Sequence, residues 1–449
     1  MQNCCYALEF YQVQFCTFFC MERGDMDNAI LWYQVKNYGS FGNEGAFVDL
    51  TTSEKDRHKD LWRLVGGQRV NLITAIMGAN GSGKTTLLKP LAFLSNFFWS
   101  IPAKITDQLE VNSSKAVKEI PSIKTSFVMN GMIYTYELIA CELFVAYEAL
   151  YVRNENNKNI YIFKREVNKK RIPEYLEKTS QIVTMRELNE LLKEIEYTYS
   201  EKNDIFPFGK SEAIRTPVNT SIISAARRVG VRLAEDITFF FMPITNVDAN
   251  GRMIYDASDI NDLAAYLHGH EKMFDNLKNI IKKWDFGLND IEIEKESRTN
   301  ANGETKYNYI VNGVHLLENG TAFKLPFLKE SAGTQSAFVR IFQILCALEG
   351  GNPCVIDELG DDLHPHMVKP ILNLFINPEL NPNGAQLIFT CHKPDLINYL
   401  GKYRVIIAQK KDNVSECYRL DDFPSSEARA DDNLAAKYLA GSFGGVPEL

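Results

Sequence analysis

The chain has 449 residues, of which 45% are hydrophobic and 24% charged, as is ordinary for a globular protein of two or three structural units. No apolar run reaches the roughly 18 residues that a membrane-spanning helix needs, so we expect no membrane contact. The net charge of −8 excludes a general attraction to nucleic acid and leaves that role to local basic patches. The nine cysteines show no zinc-ligand spacing, which predicts reduced thiols in a cytoplasmic protein.

The first segment of the chain is one that we interpret as dispensable. Residues 1–25 lack the basic start and the clear apolar stretch of a signal peptide, and Met26 precedes the first clear strand. We therefore expect residues 1–25 to be an N-terminal extension that arises from start-codon choice. Two short strands are predicted next, at residues 30–35 and 46–50, joined by a glycine-rich turn.

Strand and helix patterns then alternate along the chain. An apolar strand at residues 70–77 leads into a helix that extends to about Trp99, and Pro90 should kink that helix or end its first part. Strand patterns fill residues 126–164, with a hairpin turn at Asn130-Gly131. The remaining predictions are helices at residues 184–199, 221–233 and 259–284, a second hairpin at residues 291–314 around Asn302-Gly303, and strands at residues 403–408 and 415–420.

These elements predict an α/β protein that is divided into three parts after the N-terminal extension. Residues 26–125 would form an N-terminal lobe and residues 321–449 a C-terminal lobe. Residues 126–320 would be an inserted region, rich in strands at first and then made of helices and a hairpin. No heptad pattern is sustained, which excludes a long coiled-coil arm.

The strongest chemical signal is the sequence GANGSGKT at residues 78–85, which matches the P-loop pattern G-x-x-x-x-G-K-[ST] in full. Glycines let the backbone approach phosphates, amides at the following helix N-terminus bind them, and Lys84 adds a positive charge. The hydroxyl of Thr85 is a ligand for Mg²⁺. We predict that ATP is bound by Gly78, Asn80, Gly81, Ser82, Gly83, Lys84, Thr85 and Thr86.

A short apolar strand at residues 353–356 ends in the carboxylates Asp357 and Glu358. This pattern is weak alone, because many strands end in acidic residues at the surface, but after a complete P-loop it is typical of a Walker B strand. Asp357 would then hold Mg²⁺ through water. Glu358 would be the catalytic group that polarises the attacking water.

Ser331 and Gly333 begin an apolar helical pattern about 26 residues before Asp357. A Ser-x-Gly at a helix N-terminus in this position resembles the signature of ABC-type ATPases, where it binds the γ-phosphate of an ATP held by another subunit. The alternative is that Ser331 is a plain N-cap. The signature interpretation predicts that a complete site needs two copies, and therefore at least a homodimer.

A second apolar strand, at residues 386–391, ends at His392, about 35 residues after Asp357. A histidine at this place in ABC-type sites is a switch residue that contacts the γ-phosphate, whereas a lone histidine at a strand end is more often structural. We predict the switch role for His392. Residues 359–365 lie between the two strands and occupy the place of the D-loop at a subunit interface.

Together these motifs resemble the ABC-type ATPases of bacterial abortive-infection and anti-phage systems, in particular the AbiL-type and PARIS-type ATPase subunits, relatives of the OLD-family ATPase domain. The more particular stretches are residues 38–41, 381–390 and 438–447. The resemblance implies an ABC-type P-loop core with a mixed sheet flanked by helices, and hydrolysis of ATP with Mg²⁺. It also implies a separate toxic effector, often a TOPRIM nuclease, and a phage-encoded trigger.

The sequence departs from this family pattern at four points. Gly39 replaces an arginine that could approach the nucleotide, and Lys393 replaces the acidic or amide residue that usually follows the switch histidine. Pro90 is unusual in the P-loop helix, and no Q-loop glutamine can be placed.

Three other functions compete with the defence ATPase. A fused TOPRIM nuclease would need a domain of about a hundred residues, and only 57 residues follow His392. A transporter ATPase would have a much shorter separation between P-loop and signature than the roughly 250 residues here. An SMC-like ATPase that repairs or clamps DNA, without a coiled-coil arm, stays open because of basic groups at residues 169–171 and at Arg227, Arg228 and Arg232.

Overall fold

The computed structural model describes residues 28–113, 119–202, 205–242, 244–248, 251–253, 257–284, 287–299, 305–361, 364–424, 426–429 and 431–446. The predicted extension at residues 1–25, the turn at Asn302-Gly303 and part of the D-loop lie outside the described residues. The strands are β1 (Ala29–Lys36), β2 (Ala46–Asp49), β3 (Trp62–Val65), β4 (Gln68–Asn71), β5 (Ile73–Met77), β6 (Ser122–Met129), β7 (Met132–Ala140), β8 (Val145–Arg153), β9 (Asn159–Val167), β10 (Tyr197–Glu201), β11 (Ile244–Thr245), β12 (Asp290–Thr299), β13 (Thr305–Leu316), β14 (Ala322–Pro326), β15 (Cys354–Ile356), β16 (Leu387–Thr390), β17 (Val405–Lys411) and β18 (Val414–Arg419).

Helices alternate with these strands. They are α1 (Lys84–Trp99), α2 (Ile172–Gln181), α3 (Met185–Lys193), α4 (Lys210–Arg215), α5 (Ile222–Arg228), α6 (Arg232–Phe240), α7 (Ala257–His268), α8 (Glu271–Trp284), α9 (Ala332–Gly350), α10 (Val368–Ile376), α11 (Asp395–Leu400) and α12 (Leu434–Leu439). Within the described ranges, every helix is too short or too polar to cross a membrane.

The central sheet has the strand order β11-β15-β16-β5-β17-β18, and all its pairs are parallel except β17 with β18. The inner strands β15, β16 and β5 are buried throughout, on both faces of the sheet. In β5, for example, Ile73, Ala75 and Met77 join one apolar core while Ile76 joins another. Because parallel strands end at the same edge of a sheet, the segments that follow β11, β15, β16 and β5 meet there.

A second sheet is antiparallel, in the order β10-β9-β8-β7-β6-β1-β2. Helix α1 lies between the two sheets, because its buried residues share one apolar core with residues from both. Two smaller sheets, β3-β4 and β12-β13-β14, complete the set. The structure therefore has the α/β fold of a P-loop ATPase core with a mixed sheet flanked by helices.

Three predicted helices need correction, at residues 184–199, 221–233 and 259–284. The helix predicted at residues 184–199 ends at Lys193, and Tyr197–Glu201 forms β10, because pairing with β9 outweighs the helical spacing of the apolar residues. The helical patterns at 221–233 and 259–284 are each two helices, interrupted around Gly230 and Gly269. Helix α1 does not end at Pro90, although proline cannot donate the usual helical bond.

Strand pairing also bears on the predicted division into three parts. β6, which begins at Ser122, pairs with β1, and β11 of the proposed inserted region pairs with β15 of the C-terminal lobe. The parts at 26–125, 126–320 and 321–449 are therefore joined through shared sheets, and the boundaries themselves stay a prediction.

Candidate active site

The P-loop connects the end of β5 to the start of α1, as the sequence predicts. Gly78 has φ 151°, and a Cβ there would lie 2.1 Å from the carbonyl oxygen of Ala408, so no larger residue fits. Gly81 has φ 74°, and Gly83, with φ 107°, is the N-cap of α1. The loop thus brings backbone amides and the N-terminus of a 16-residue helix to one place.

Two polar side chains of this loop are suited to an anionic ligand. Lys84 Nζ donates hydrogen bonds of 3.0 Å to the carbonyls of Gly78 and Ala79, so the ammonium lies within the loop. Burial lowers the pKa of Lys84, although Asp357 and Glu358 act in the opposite direction. Ser82 Oγ is buried and has no hydrogen-bond partner among the residues that the structure describes. A triphosphate would supply acceptors to both groups, so these residues fit ATP.

Hydrogen bonds across the central sheet join the P-loop to the Walker B strand. Thr85 Oγ1 donates to Asp357 Oδ2 at 2.8 Å, and Thr390 Oγ1 donates to Asp357 Oδ1 at 2.6 Å. Thr85 and Asp357, which are 272 positions apart, therefore place a hydroxyl and a carboxylate side by side. These are oxygen ligands of the kind that Mg²⁺ prefers, and they fit the predicted ion.

The backbone of Asp357 is held by Asn246, at the end of β11. The amide nitrogen of Asp357 donates to Asn246 Oδ1 at 2.7 Å, and Asn246 Nδ2 donates to the carbonyl of Asp357 at 3.1 Å. Asn246 is 1% exposed and Asp357 3%. This reciprocal pair extends the strand ladder by one residue and fixes the direction in which the carboxylate projects.

Glu358 leaves the strand in the left-handed region, with φ 54°, which is uncommon for a residue with a side chain. Its amide nitrogen donates to Thr390 Oγ1 at 2.7 Å, and Arg252 Nη1 donates to Glu358 Oε2 at 2.6 Å. Burial raises the pKa of Glu358, but hydrogen bonds from Asp361 and Arg252 outweigh it, so this pKa lies below its ordinary value. Burial and the hydrogen bond with Glu358 raise the pKa of Asp361.

His392 follows β16 and is exposed. Because β16 is parallel to β15 and β5, His392 lies at the same edge of the sheet as Glu358 and the P-loop. The structure thus brings His392 near the predicted catalytic group, and a contact with the γ-phosphate stays a prediction.

The predicted signature lies at the start of α9. Ser331 is the N-cap of this helix: its Oγ accepts from the amide nitrogen of Thr334 at 3.1 Å. Ser331 and Ala332 are exposed and Gly333 is half-buried. Ser331 therefore has the geometry of the plain N-cap, and it is also open to a ligand from outside the chain.

The segment at residues 38–41 packs against the P-loop. A Cβ on Gly39 would lie 2.5 Å from Thr86 Cγ2, and the hydroxyls of Ser40 and Ser415 are 2.7 Å apart beside Gly83. Gly39 also has φ 58°, so this close approach requires glycine. The arginine of the family pattern could not occupy this position without moving the segment.

Three of the six basic residues that kept a DNA-binding role open contact other side chains of the chain. Arg227 lies over the ring of Trp99 at 4.3 Å, Arg232 pairs with Asp236 at 3.2 Å, and Arg171 pairs with Glu174 at 3.7 Å. Binding of nucleic acid stays a prediction.

Three residues of the site were missed in the sequence: Asn246, Arg252 and Thr390. A signal existed for Thr390, since it is a polar residue at the end of an apolar strand and directly precedes Cys391 and His392. Asn246 ends a two-residue strand, which is too short for periodicity to identify. Arg252 lies 106 positions from Glu358, so only the fold reveals their contact.

The parallel sheet, the P-loop and the linked Walker B carboxylates define a P-loop ATPase. The chain belongs to the family described as "AAA domain, putative AbiEii toxin, Type IV TA system". The model of this family matches residues 73–398, which are well over half of the chain. No curated protein matches the chain.

Solved structures with a similar fold are heads of SMC proteins. One is an SMC head bound to the C-winged helix domain of ScpA, with 14% identity, a TM-score of 0.41, and coverage of 87% of this chain and 97% of that one. Another is the Smc head with a coiled coil and joint from Pyrococcus yayanosii, with 11% identity, a TM-score of 0.43, and coverage of 92% and 99%. The SMC head domain from Thermotoga maritima has 12% identity, a TM-score of 0.36, and coverage of 87% and 98%. Likenesses this distant carry no information about activity or partners.

Proposed function

We propose that the chain binds ATP with Mg²⁺ and hydrolyses it at a site that a second copy of the chain completes. The observation that supports this most directly is the 2.8 Å hydrogen bond between Thr85 of the P-loop and Asp357 of the Walker B strand. It joins the two predicted Mg²⁺ ligands, and Glu358 follows in the next position.

Each residue of the site has a separate task in this proposal. Amides of the P-loop and Lys84 bind the phosphates, while Thr85 and Asp357 hold Mg²⁺, which neutralises phosphate charge. The oxygen of a water molecule attacks the γ-phosphorus, and the bond to the leaving ADP breaks. Glu358 accepts a proton from that water during the attack. His392 would contact the γ-phosphate from the end of β16.

A second copy is proposed because the predicted signature faces outward. The hydrogen bonds that Ser331 makes in the described part of the chain go to its own turn, to Thr334 and Gln335. The exposed N-terminus of α9 suits a γ-phosphate held by the P-loop of another copy. ATP would then join two copies, and hydrolysis would release them.

We further propose that this cycle serves bacterial anti-phage defence by controlling a separate toxic effector. Two observations support this: the family description names a toxin of a type IV toxin–antitoxin system, and the sequence resembles AbiL-type and PARIS-type ATPase subunits. A TOPRIM-type nuclease is the proposed effector, and a phage product the proposed trigger.

The ATPase proposal is tested with Glu358→Gln. Because an amide cannot accept the proton, turnover should fall by about 10²- to 10⁴-fold while ATP binding is kept and ATP-bound oligomers accumulate. Glu349→Gln is the matched control, since Glu349 is an exposed glutamate of α9 outside the site. Wild-type turnover by Glu358→Gln would refute the assignment of Glu358.

The defence proposal has its own test. Cells that carry this gene with its neighbouring genes should form fewer phage plaques than cells without it, and Glu358→Gln should remove that protection. If the wild-type locus gives no protection against a broad phage panel, the defence role is wrong even where ATP hydrolysis is measured.

A further inference from the structure

An arginine that none of the predicted motifs contains lies at the predicted catalytic carboxylate. Arg252 Nη1 is 2.6 Å from Glu358 Oε2 and 3.6 Å from Asp361 Oδ2. The Arg252 and Glu358 side chains are 27% and 33% exposed, so the pair is half-buried at the edge of the site. One guanidinium thus contacts two acidic side chains of the segment that follows the Walker B strand.

The backbone of Arg252 is fixed to the same strand end that holds Asp357. Arg252 forms a β-bridge with Val247, and the amide nitrogen of Met253 donates to the carbonyl of Asn246 at 2.7 Å. Gly251, with φ 138°, supplies the conformation that this tight return needs. Asn246 in turn bonds to the backbone of Asp357. Arg252 therefore has a defined position relative to the Walker B residues.

Glu358 and Asp361 would be poorly arranged without this cation. Both carboxylates approach the same guanidinium nitrogen, at 2.6 and 3.6 Å, and the amide nitrogen of Asp361 donates to the carbonyl of Glu358 at 3.0 Å. Two acidic groups at this separation repel unless a proton or a cation lies between them. A guanidinium presents several donors in a rigid plane, which suits the binding of two carboxyl groups at once.

We infer that Arg252 is a positioning residue of the ATPase site, which holds the side chain of Glu358 in the orientation that the attack of water requires. This inference rests on the proposed role of Glu358 in hydrolysis. Arg252 does not take the proton itself, because a guanidinium stays protonated in proteins. It acts through Glu358, so its loss should affect turnover far more than nucleotide binding.

The test compares Arg252→Ala and Arg252→Lys with the wild-type protein. Since a misplaced catalytic group costs up to about 100-fold, Arg252→Ala should lower kcat by roughly 10- to 100-fold. Its KM for ATP and its Kd for ATP should stay within about threefold of wild type, because the P-loop and the Mg²⁺ ligands are unchanged. Arg252→Lys keeps the charge and should recover part of kcat.

Arg69→Ala is the matched control and should keep the wild-type kcat. Arg69 is comparably exposed, at 31%, and lies in the β3-β4 hairpin.

A double mutant shows whether Arg252 acts through Glu358. In single-turnover measurements, adding Arg252→Ala to Glu358→Gln should cause less than about a threefold further loss, because the group that Arg252 positions is already inactive. A full additional loss of 10-fold or more would mean that Arg252 acts on the nucleotide directly, which would overturn the inference. Thermal unfolding of each variant shows whether turnover is lost because the protein misfolds. If Arg252→Ala misfolds, the Arg252→Lys variant decides: recovery of kcat supports the inference, and no recovery overturns it.

Failure of this inference differs from failure of the proposed function. If Glu358→Gln is inactive but Arg252→Ala turns over ATP like wild type, only the role of Arg252 is wrong. An Arg252→Ala variant whose Kd for ATP rises as much as its kcat falls would also overturn that role. If the wild-type protein does not hydrolyse ATP, or Glu358→Gln hydrolyses it normally, the proposed function fails.

Discussion

The two halves of the proposed ATPase site, the P-loop half and the signature half, are built in opposite ways. In the P-loop half, Asp357, Thr390 and Asn246 are each at most 3% exposed and are joined by hydrogen bonds between three neighbouring strands. In the signature half, Ser331 is exposed and bonds only within its own turn among the described residues.

The signature half is nevertheless attached to the rest of the chain through the residue before Ser331. Glu330, directly before Ser331, has Oε1 at 2.7 Å from His315 Nε2, and His315 Nδ1 lies 2.6 Å from the carbonyl of Gly287. The exposed turn is thus anchored to β13. Buried polar partners thus form the P-loop half within one chain, whereas the signature half is anchored through Glu330 but leaves Ser331 exposed to a partner from outside.

The largest effect is expected from Lys84→Ala, which removes the central cation of the P-loop half. ATP binding should be lost, because phosphate charge would stay unpaired in a partly desolvated loop. The measurement is the Kd for a fluorescent ATP analogue, with Lys124→Ala of β6 as the matched lysine control. ATP affinity at the wild-type level in Lys84→Ala would show that the P-loop assignment is wrong.

Ser331→Asp separates the two roles of the signature half. Aspartate is as good an N-cap as serine, so the free energy of unfolding should change by less than about 0.5 kcal/mol. A carboxylate facing a γ-phosphate should nevertheless lower turnover by about 100-fold or more. Ser331→Ala is the complement: the lost cap should cost about 1 kcal/mol of stability. If Ser331→Asp is fully active, Ser331 is only a helix cap.

Thr390→Val tests whether buried hydrogen bonds pre-form the P-loop half. Valine has a similar shape but removes the hydrogen bond to Asp357 Oδ1 and the acceptor for the amide of Glu358, at a cost of about 1 to 3 kcal/mol in the free energy of unfolding. Urea unfolding measures this, and Thr390→Ser, which keeps the hydroxyl, should stay close to wild type. Equal stability of the Val and Ser variants would mean that these bonds contribute nothing.

The sequence predicted what local patterns encode and missed what only the fold brings together. The P-loop, the Walker B carboxylates and the strands around them follow from motif spacing and apolar runs, and the structure places Thr85 beside Asp357 as those motifs imply. Asn246 and Arg252 reach Asp357 and Glu358 across more than a hundred positions, and β11, the strand before them, has only two residues. Nothing local marks either residue as part of a site.

The same division explains the errors in secondary structure. Residues 184–199 have apolar residues at helical spacing, but Tyr197–Glu201 becomes β10 because β9 offers an unpaired edge. For Ser331 the position before Asp357 favoured the signature over a plain cap, and a single chain shows the geometry of the cap without testing the signature. Only a measurement on two associated copies distinguishes the signature role of Ser331 from the cap.

The most direct test of the central claim, a site shared between two copies, is ATP turnover by a mixture of two inactive variants. Lys84→Ala destroys the P-loop half and Ser331→Arg the signature half, so each alone should be inactive. In co-expressed dimers that mix at random, half the dimers pair the two variants and hold one intact site, so about a quarter of wild-type turnover should return. No recovery in a verified mixed oligomer would contradict the shared site.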